Sequence, residues 1–437
     1  MGNRPRVIRC PVHGSIPFSD HEMTLVGSRY LQRLRSITQL GFASLVFPGA
    51  THTRFAHSLG ACHLAGKMFD QLLLGGVNRL QDFYPSDRLS YFRRILRLAA
   101  LLHDVGHPPF SHAAERVLPP VSRLAMPPWL VPAEDRRATH EDFTYAIIWD
   151  MAQAGLLNQE EAEDIIALLN PEAAATPRFE AAGGVPLIHP LLRQLINGEI
   201  DVDRMDYLLR DSLFAGVPYG RFDQDRLIGS LSPCLHEGVG RLLLALDGED
   251  LATYENFLLS RVHMFYQIYF HKTLGAFTHY INQVFEQKEI DLHLDGSMEN
   301  YLSLDENGLK DEISRAQGKP WSAKIAQRIP AKTLFRVKDS DPERLVRLNQ
   351  AAAALKNAGV EHFAVHSHNR YSSQIRGQKP SSTSIMVVEK ELGKHRLIPL
   401  ASQSKLLDAR EKQIEVHQLY VPREAFAQAL ELLQEAP

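Results

Sequence analysis

One helical segment constrains the fold of this chain more than any other feature. The segment Tyr91–His103 carries apolar residues such as Ile95 and Leu98 around nearly its whole circumference. A helix that is apolar all round is buried in a large core or spans a membrane. No apolar run in the chain approaches the length that a bilayer requires. The segment is therefore predicted to be the central helix of a large core, and it ends in two ionisable residues, His103 and Asp104.

Composition agrees with such a core. The 437 residues are 44% hydrophobic and 23% charged, and the formal net charge is -3. This balance excludes a globally basic nucleic-acid binder, although it allows a local cluster of cations around a phosphate. The three cysteines, Cys10, Cys62 and Cys234, form no CxxC pair. They therefore suggest neither a disulfide framework nor a thiolate metal site, and together with the polar N-terminus they predict a cytoplasmic protein without a membrane segment.

Periodicity predicts a mainly α fold with a small α+β C-terminal domain. Helical spacing of apolar residues is found in Tyr30–Leu40, Ala56–Leu74 and the long stretch from Leu251 to Gln287. After the segment Asp291–Leu309, alternating, strand-like runs appear, with a predicted hairpin around Leu392-Gly393-Lys394. We therefore divide the chain into residues 1–290, a helical core with a short N-terminal strand, and residues 291–437, a mixed α+β domain.

The pair His103-Asp104 is the first candidate for chemistry. An imidazole and a carboxylate can both reach one divalent ion, and a mixture of these ligands favours Mn, Fe, Ni, Zn or Mg over ions that prefer thiolates. For an arbitrary His-Asp pair, a histidine interacting with the negative end of a helix dipole would be the better explanation. Further residues are needed to favour the metal.

Two other segments supply them. Arg54 and His57 are three residues apart and share a helix face, which pairs a phosphate-binding cation with a metal ligand. Asp203, Asp206 and Arg210 form a stripe on a helix whose remaining residues are largely apolar. A charged stripe usually faces water, and a lone histidine is usually structural. Here few residues of the helix are left to face water, so its buried charges need partners, and a metal with phosphates would provide them.

Four further ionisable residues after His103-Asp104 are candidates for catalysis. Histidines near a metal-bound phosphate can bind oxygens or transfer protons, which suits hydrolysis of a polyphosphate ester near neutral pH. Each of them alone would more often be structural. The candidates are His107, His112, His140 and Glu141.

These residues carry a resemblance to a known family. His57, His103-Asp104 and Asp203 stand in the order of the H…HD…D signature of the HD-domain phosphohydrolases. The segments 30–35, 46–52 and 103–112 resemble the deoxynucleoside triphosphate triphosphohydrolase branch, or dNTPases, which includes the animal SAM- and HD-domain enzyme. The resemblance covers residues 5–290 and, more faintly, 415–433. It implies a helical HD core and cleavage of a dNTP at the α-phosphorus to deoxynucleoside and inorganic triphosphate.

The resemblance also implies a role for each matching residue. His57, His103, Asp104 and Asp203 would ligate a divalent ion, and His112 would protonate the departing 5′-oxygen. The other catalytic candidates are His107, His140, Glu115 and Glu141. The cations that neutralise the phosphate chain would be Arg54, Arg204, Arg261 and Lys272. The residues around the sugar and base would be Gln39, Leu40, Tyr207, Asp211 and Tyr269. Tyr207, lying close beneath the sugar, would exclude a 2′-hydroxyl, and Asp211 would accept a hydrogen bond from the 3′-hydroxyl.

Some positions depart from the family pattern. Phe270 replaces a glutamine of the animal enzyme, and Glu115 stands where an aspartate is found. The resemblance also implies a regulatory nucleotide site and a homo-oligomer, a dimer or tetramer. Residues of a regulatory site would be Arg6, Val7, Gln32 and Arg35. Gly27 lies where a guanine-reading carboxylate is expected, which argues against activation by GTP.

Two other functions stay open at this point. The same metal centre could cleave single-stranded DNA or another phosphodiester, and a basic, aromatic track leading to the metal would favour that substrate. A regulatory protein that binds nucleotides without turnover is the second alternative. Retention of four candidate ligands and of the histidine group favours an enzyme.

Overall fold

The computed structural model describes residues 6–132, 134–179, 185–236, 240–338, 341–374, 384–408 and 413–435, apart from the side chains of His112, Asp408 and Glu435. The fold is mainly helical, with several small sheets, as predicted. None of the helices within these ranges is long and apolar enough to cross a bilayer.

The first half of the chain is a β-hairpin followed by a helical core. Its elements are β1 (Arg6–Cys10), β2 (Gly14–Phe18), α1 (Asp20–Gly27), α2 (Arg29–Gln32), α3 (Arg54–Leu74), α4 (Ser86–Leu102), α5 (His140–Gln153), α6 (Gln159–Leu169), α7 (His189–Asn197), α8 (Val202–Ala215) and α9 (Gln224–Gly229). The predicted helix Ala56–Leu74 is thus present as α3, and the predicted central segment forms most of α4.

The second half alternates helices with short strands. Its elements are β3 (Leu231–His236), β4 (Arg241–Asp247), α10 (Leu251–Met264), α11 (Lys272–Glu286), α12 (Met298–Ser303), α13 (Glu306–Arg315), α14 (Pro320–Ala326), β5 (Lys332–Lys338), α15 (Pro342–Asn357), β6 (Phe363–Arg370), β7 (Met386–Glu391), β8 (Lys394–Pro399), α16 (Leu400–Gln403), β9 (Gln413–Val421) and α17 (Phe426–Glu435). A turn through Leu392 and Gly393, both with positive φ, joins β7 to β8 as the predicted hairpin.

Helix α4 lies at the centre of the core, as its apolar circumference requires. Leu96 and Leu98 have no exposed surface, and α4 packs against α3, which in turn packs against α8. His103, the residue that follows α4, lies beside His57 on α3 and Asp203 on α8. This packing positions the candidate metal ligands.

Two predicted helices are wrong in part. The segment Tyr30–Leu40 is helical only to Gln32 and then continues as a 3₁₀ turn to Ser36. Thr38 leaves the helical path because its backbone N–H and hydroxyl donate to the buried Glu306 carboxylate. Tertiary hydrogen bonds here replace those of a helix.

The stretch from Leu251 to Gln287 is also interrupted. It passes through a π-helical turn, Phe265–Tyr269, before α11 begins. Phe265 and Phe270 pack there against β9 residues Ile414 and Val416. The irregular turn thus brings the end of α10 against a strand from the far end of the chain.

The C-terminal strands belong to two sheets. One has the order β3-β4-β7-β8, with β4 and β7 parallel, and the other has the order β5-β9-β6, with antiparallel neighbours. Strands from both sides of residue 290 therefore share the first sheet. The division of the chain at that residue stays a prediction.

Candidate metal centre and adjoining cavity

Three helices bring the predicted metal ligands together. His57 lies in α3, His103 ends α4, and Asp203 lies in the first turn of α8. Nε2 of His57 is 3.2 Å from Nε2 of His103 and 3.0 Å from Oδ1 of Asp203, which is 3.6 Å from His103 Nε2. Three candidate ligand atoms thus converge on one point.

Asp104 borders the same point. Its Oδ1 lies 3.5 Å from Nε2 of His103, and its Oδ2 lies 3.8 Å from Nε2 of His57. Arg54 donates a 2.6 Å hydrogen bond to Oδ2. Burial raises the pKa of Asp104, but the positive charge of Arg54 and the neighbouring histidines lower it by more. The pKa of this carboxyl group is therefore well below its usual range. The carboxylate is therefore ionised, as a metal ligand must be.

Hydrogen bonds orient both histidines. Nδ1 of His103 donates to the carbonyl of Ala100 at 2.8 Å, and Nδ1 of His57 lies 2.7 Å from Oδ2 of Asp206. Because a carbonyl only accepts, the proton of neutral His103 is on Nδ1, and the Asp206 carboxylate likewise holds a proton on Nδ1 of His57. In the neutral rings that a metal binds, each Nε2 then presents a lone pair to the shared point.

Two lone pairs facing each other at 3.2 Å would repel, so a positive charge, either a proton or a metal ion, belongs between the two rings. Burial lowers the pKa of His57, but hydrogen bonds to Asp203 and Asp206 outweigh it and raise the pKa to about 10. The surroundings therefore stabilise positive charge at the His57 ring. The donor set of two imidazoles and two carboxylates fits a divalent ion.

Asp206 holds a buried network behind the ligands. It accepts two hydrogen bonds from Arg210, at 2.7 and 2.8 Å, and lies 2.6 Å from Nε2 of His13 in the β1–β2 turn. Gly60 on α3 allows this close approach, because a Cβ there would lie 1.8 Å from Oδ1 of Asp206. The sequence predicts that Asp206 lies on a charged stripe. It does not predict that Asp206 orients His57 or that it contacts His13.

The second group of histidines lies beside Asp104. The rings of His107 and His140 stack with centroids 3.9 Å apart, and Nε2 of His107 is 3.3 Å from Oδ1 of Asp104. Nδ1 of His140 contacts the carboxylate of Glu115 and lies 3.3 Å from Oε2 of Glu141. Burial lowers the pKa of His107 well below its usual value, and the charges of Arg54 and His140 add to the effect.

The predicted proton donor His112 has its backbone in the 3₁₀ turn Ser111–Val117, but its side chain lies outside the described part of the structure. Phe110 and Ser111, just before it, both have positive φ, 58° and 52°. Each non-glycine residue in this conformation costs about 1 kcal/mol. Ser111 also accepts a 2.7 Å hydrogen bond from Arg54, so the strained turn is tied to the metal centre.

A cavity of about 830 Å³ opens from the metal centre. Tyr207 and Tyr269 stand edge to face in its wall, with ring centroids 6.0 Å apart. Tyr269 donates a 2.7 Å hydrogen bond to Oδ2 of Asp211, whose Oδ1 is 2.7 Å from His52. The predicted sugar and base residues lining this cavity are Gln39, Leu40, Tyr207, Asp211 and Tyr269. Its volume is typical of small-molecule sites.

Three of the four predicted phosphate-binding cations also line the cavity. They are Arg54, Arg204 and Arg261. Arg204 donates to backbone carbonyls of Gly198 and Glu199, and Arg261 donates to the side chain of Asn369 on β6. Lys272 is exposed at the start of α11 and is not among the described lining residues. The role of Lys272 stays a prediction.

The predicted regulatory residues lie near the N-terminus. Arg6 and Val7 are exposed on β1, and Arg6 pairs with Asp20 at 3.5 Å. Arg35 donates to Oε1 of Gln32 at 2.8 Å. Binding of a second nucleotide by these residues stays a prediction.

Comparison with known proteins supports the resemblance to the HD-domain family. The HD domain family model matches residues 54–211, a range that begins at Arg54 and ends at Asp211. The uncharacterized protein YwfO of Bacillus subtilis is 30% identical over 320 residues, covering 69% of this chain and 64% of that protein. The deoxynucleoside triphosphate triphosphohydrolase SAMHD1 of Gallus gallus is 28% identical over 374 residues, covering 78% of this chain and 57% of that enzyme.

The fold has a close counterpart among solved structures. A hypothetical protein from Aquifex aeolicus superposes with a TM-score of 0.75 at 27% sequence identity, covering 98% of this chain and 100% of that one. The chain spans less than two thirds of the length of both sequence relatives described above.

Proposed function

This chain is an HD-domain protein whose relatives include deoxynucleoside triphosphate triphosphohydrolases, and on that premise we propose that it is a metal-dependent dNTP triphosphohydrolase. It cleaves a dNTP at the α-phosphorus and releases deoxynucleoside and inorganic triphosphate. The observation that carries the proposal is that His57, His103 and Asp203 converge beside one cavity, which His103 and Asp203 line together with Tyr207 and Asp211.

A divalent ion at the converging ligands would supply an activated water and would polarise the phosphate. The remaining work falls to the side chains. Arg54, Arg204 and Arg261 line the cavity and would neutralise the triphosphate chain. His140, held by Glu115, and His107 lie beside the ligands and would stabilise charge on the phosphates. The predicted role of His112 is to protonate the departing 5′-oxygen.

The sugar end of the cavity supports a deoxyribonucleotide. Asp211 is held by Tyr269 and His52, so its carboxylate is fixed in place to accept a hydrogen bond from a 3′-hydroxyl. Tyr207 stands beside it and would leave no space for a 2′-hydroxyl. The metal ion (Mn, Mg, Fe, Ni or Zn), an activating nucleotide and a cytoplasmic homo-oligomer remain expectations from the sequence.

A product assay tests the proposal. Full-length protein with Mn²⁺ or Mg²⁺ is incubated with each dNTP, singly and in mixtures, and inorganic triphosphate and deoxynucleoside are quantified. We expect both products in equal amounts, and activity restricted to mixtures would reveal an activating nucleotide. His103→Ala and Asp203→Ala should abolish release, whereas the exposed β8 variant His395→Ala should retain it.

The same assay distinguishes the two alternatives. Cleavage of single-stranded DNA without triphosphate release from dNTPs would identify a phosphodiesterase. Nucleotide binding without any product would identify a regulatory protein. Undiminished turnover in both ligand variants would contradict the metal assignment.

A further inference from the structure

A second group of candidate metal ligands lies on the sheet β5-β9-β6, outside the range matched by the HD family. His366 and His368 are two residues apart on β6, and Glu415 and His417 are two residues apart on β9. The register pairs His366 with His417 and His368 with Glu415. Because side chains alternate along a strand and opposed residues share a face, all four belong to one face of the sheet.

Three of these side chains converge. Oε2 of Glu415 is 3.8 Å from Nε2 of His366 and 3.6 Å from Nε2 of His417. The two imidazole rings are stacked, with centroids 4.0 Å apart. Ligands bound tetrahedrally to zinc at about 2.1 Å lie about 3.4 Å from one another. The three ligand atoms lie within 4.8 Å of one another, and the two nearly parallel rings would have to tilt so that both Nε2 lone pairs point at one ion.

The arrangement leaves a polar atom unsatisfied. Nε2 of His417 is buried and makes no hydrogen bond with the described residues. Its 3.6 Å distance from Glu415 is too long for a good hydrogen bond.

We propose that His366, Glu415 and His417 bind one Zn²⁺ ion at a site separate from the HD metal centre. Water would complete the tetrahedral coordination. Imidazole and carboxylate ligands suit zinc, and three protein ligands leave one coordination position open. Copper binds such ligands more tightly than zinc, so binding of Cu²⁺ without binding of Zn²⁺ is one of the outcomes of the test below.

The site would act on the wall of the substrate cavity. Residues Val365, Ser367 and Asn369 alternate with the histidines along β6 and line that cavity, and His368 also belongs to its lining. Asn369 also accepts a 2.9 Å hydrogen bond from Arg261. An ion joining β6 to β9 on the opposite face would therefore hold this wall in place. The inference does not depend on the reaction catalysed.

Zinc binding to the full-length protein tests the site. The protein is stripped with a chelator, and bound Zn²⁺ is then counted after titration and dialysis. To separate the two centres, the titration uses a His103→Ala/Asp203→Ala background, which lacks two ligands of the HD centre. We expect this background to bind one equivalent of Zn²⁺ and its thermal midpoint to rise with zinc.

Adding His366→Ala or Glu415→Gln to that background should weaken zinc binding by at least about 10-fold and remove the thermal shift. His395→Ala on β8 is the matched control and should change neither. The side chain of His366 is about half exposed, so its replacement leaves the apolar packing intact and the variant is expected to fold. The proposal is overturned if the background binds no zinc, if the three variants bind it equally, or if Cu²⁺ alone binds.

Discussion

Nδ1 of His57 lies 2.7 Å from Oδ2 of Asp206, and neither side chain has any exposed surface. The same carboxylate binds Arg210 on α8 and His13 in the N-terminal hairpin. One buried acid therefore connects a candidate metal ligand with two other parts of the core. Such outer partners fix the orientation of metal-bound histidines and raise their basicity.

Replacing Asp206 with asparagine should weaken metal binding about 10–100-fold, because His57 loses its charged partner. It should also destabilise the protein by about 3–5 kcal/mol, since Arg210 would be left buried without a counter-charge. Mn²⁺ calorimetry and urea unfolding measure the two effects. Asp70→Asn, which removes an exposed pair with Arg93, is the control. Wild-type Mn²⁺ affinity in folded Asp206→Asn would contradict the role of Asp206 as the charged partner that supports His57 as a metal ligand.

Gly60→Ala should disturb the same network by steric overlap. The new Cβ would lie 1.8 Å from Asp206 Oδ1 and 2.4 Å from Arg210 Nη2, and this packed pair cannot retreat without losing contacts. We expect a loss of about 1–3 kcal/mol in unfolding free energy and weaker Mn²⁺ binding. Gly229→Ala, at the end of α9, meets nothing within 4 Å and should be neutral. Equal stability of both variants would refute the argument.

Long periodic helices were predictable from the sequence because one residue pattern determines them. The apolar circumference of α4 and the stripe of α3 both matched elements of the structure. The segment after Gln32 was not predictable, since Thr38 is held by Glu306, 268 residues away. The π-helical turn at 265–269 likewise depends on packing against β9. Local propensity carries no information about either contact.

The candidate site likewise contains residues that the sequence indicates and contacts that only the fold shows. His103 and Asp104 stood out as a polar pair at the end of an apolar helix, and Asp203 stood on a charged stripe of another. The contact of His13 with Asp206 spans 193 residues and had no sequence signal. The participation of β6 in the cavity wall also required the fold, because its residues alternate between two faces.

Tyr207→Ala should relax selection of the sugar. The ring lines the cavity beside Tyr269 and Asp211, so its removal creates space for a 2′-hydroxyl. We expect the ratio of kcat/KM for a dNTP to that for the matching NTP to fall about 10–100-fold. Triphosphate release from dATP and ATP gives the ratio. Tyr219→Ala, at an exposed tyrosine, should keep the wild-type ratio. An unchanged ratio in Tyr207→Ala would refute this explanation of sugar choice.

His189 should make stability depend on pH. It begins α7, where the positive end of the helix dipole opposes a cation, and it is 5% exposed. Burial lowers its pKa to about 4, although a 3.0 Å hydrogen bond to the carbonyl of Ala167 opposes the shift. In the unfolded chain the pKa is about 6.5. Between these values the unfolded state binds the proton and the folded state does not, so acid favours unfolding.

The stability that depends on neutral His189 is therefore complete above pH 6.5 and is lost as pH falls towards 4. A shift of this size corresponds to about 3 kcal/mol. His189→Gln keeps a donor for the Ala167 carbonyl and removes the titration. Urea unfolding at pH 7.5, 6 and 5 should show a smaller loss of stability in the variant than in the wild type. Because other titrating groups are common to both proteins, parallel pH curves would show that His189 does not cause the acid sensitivity.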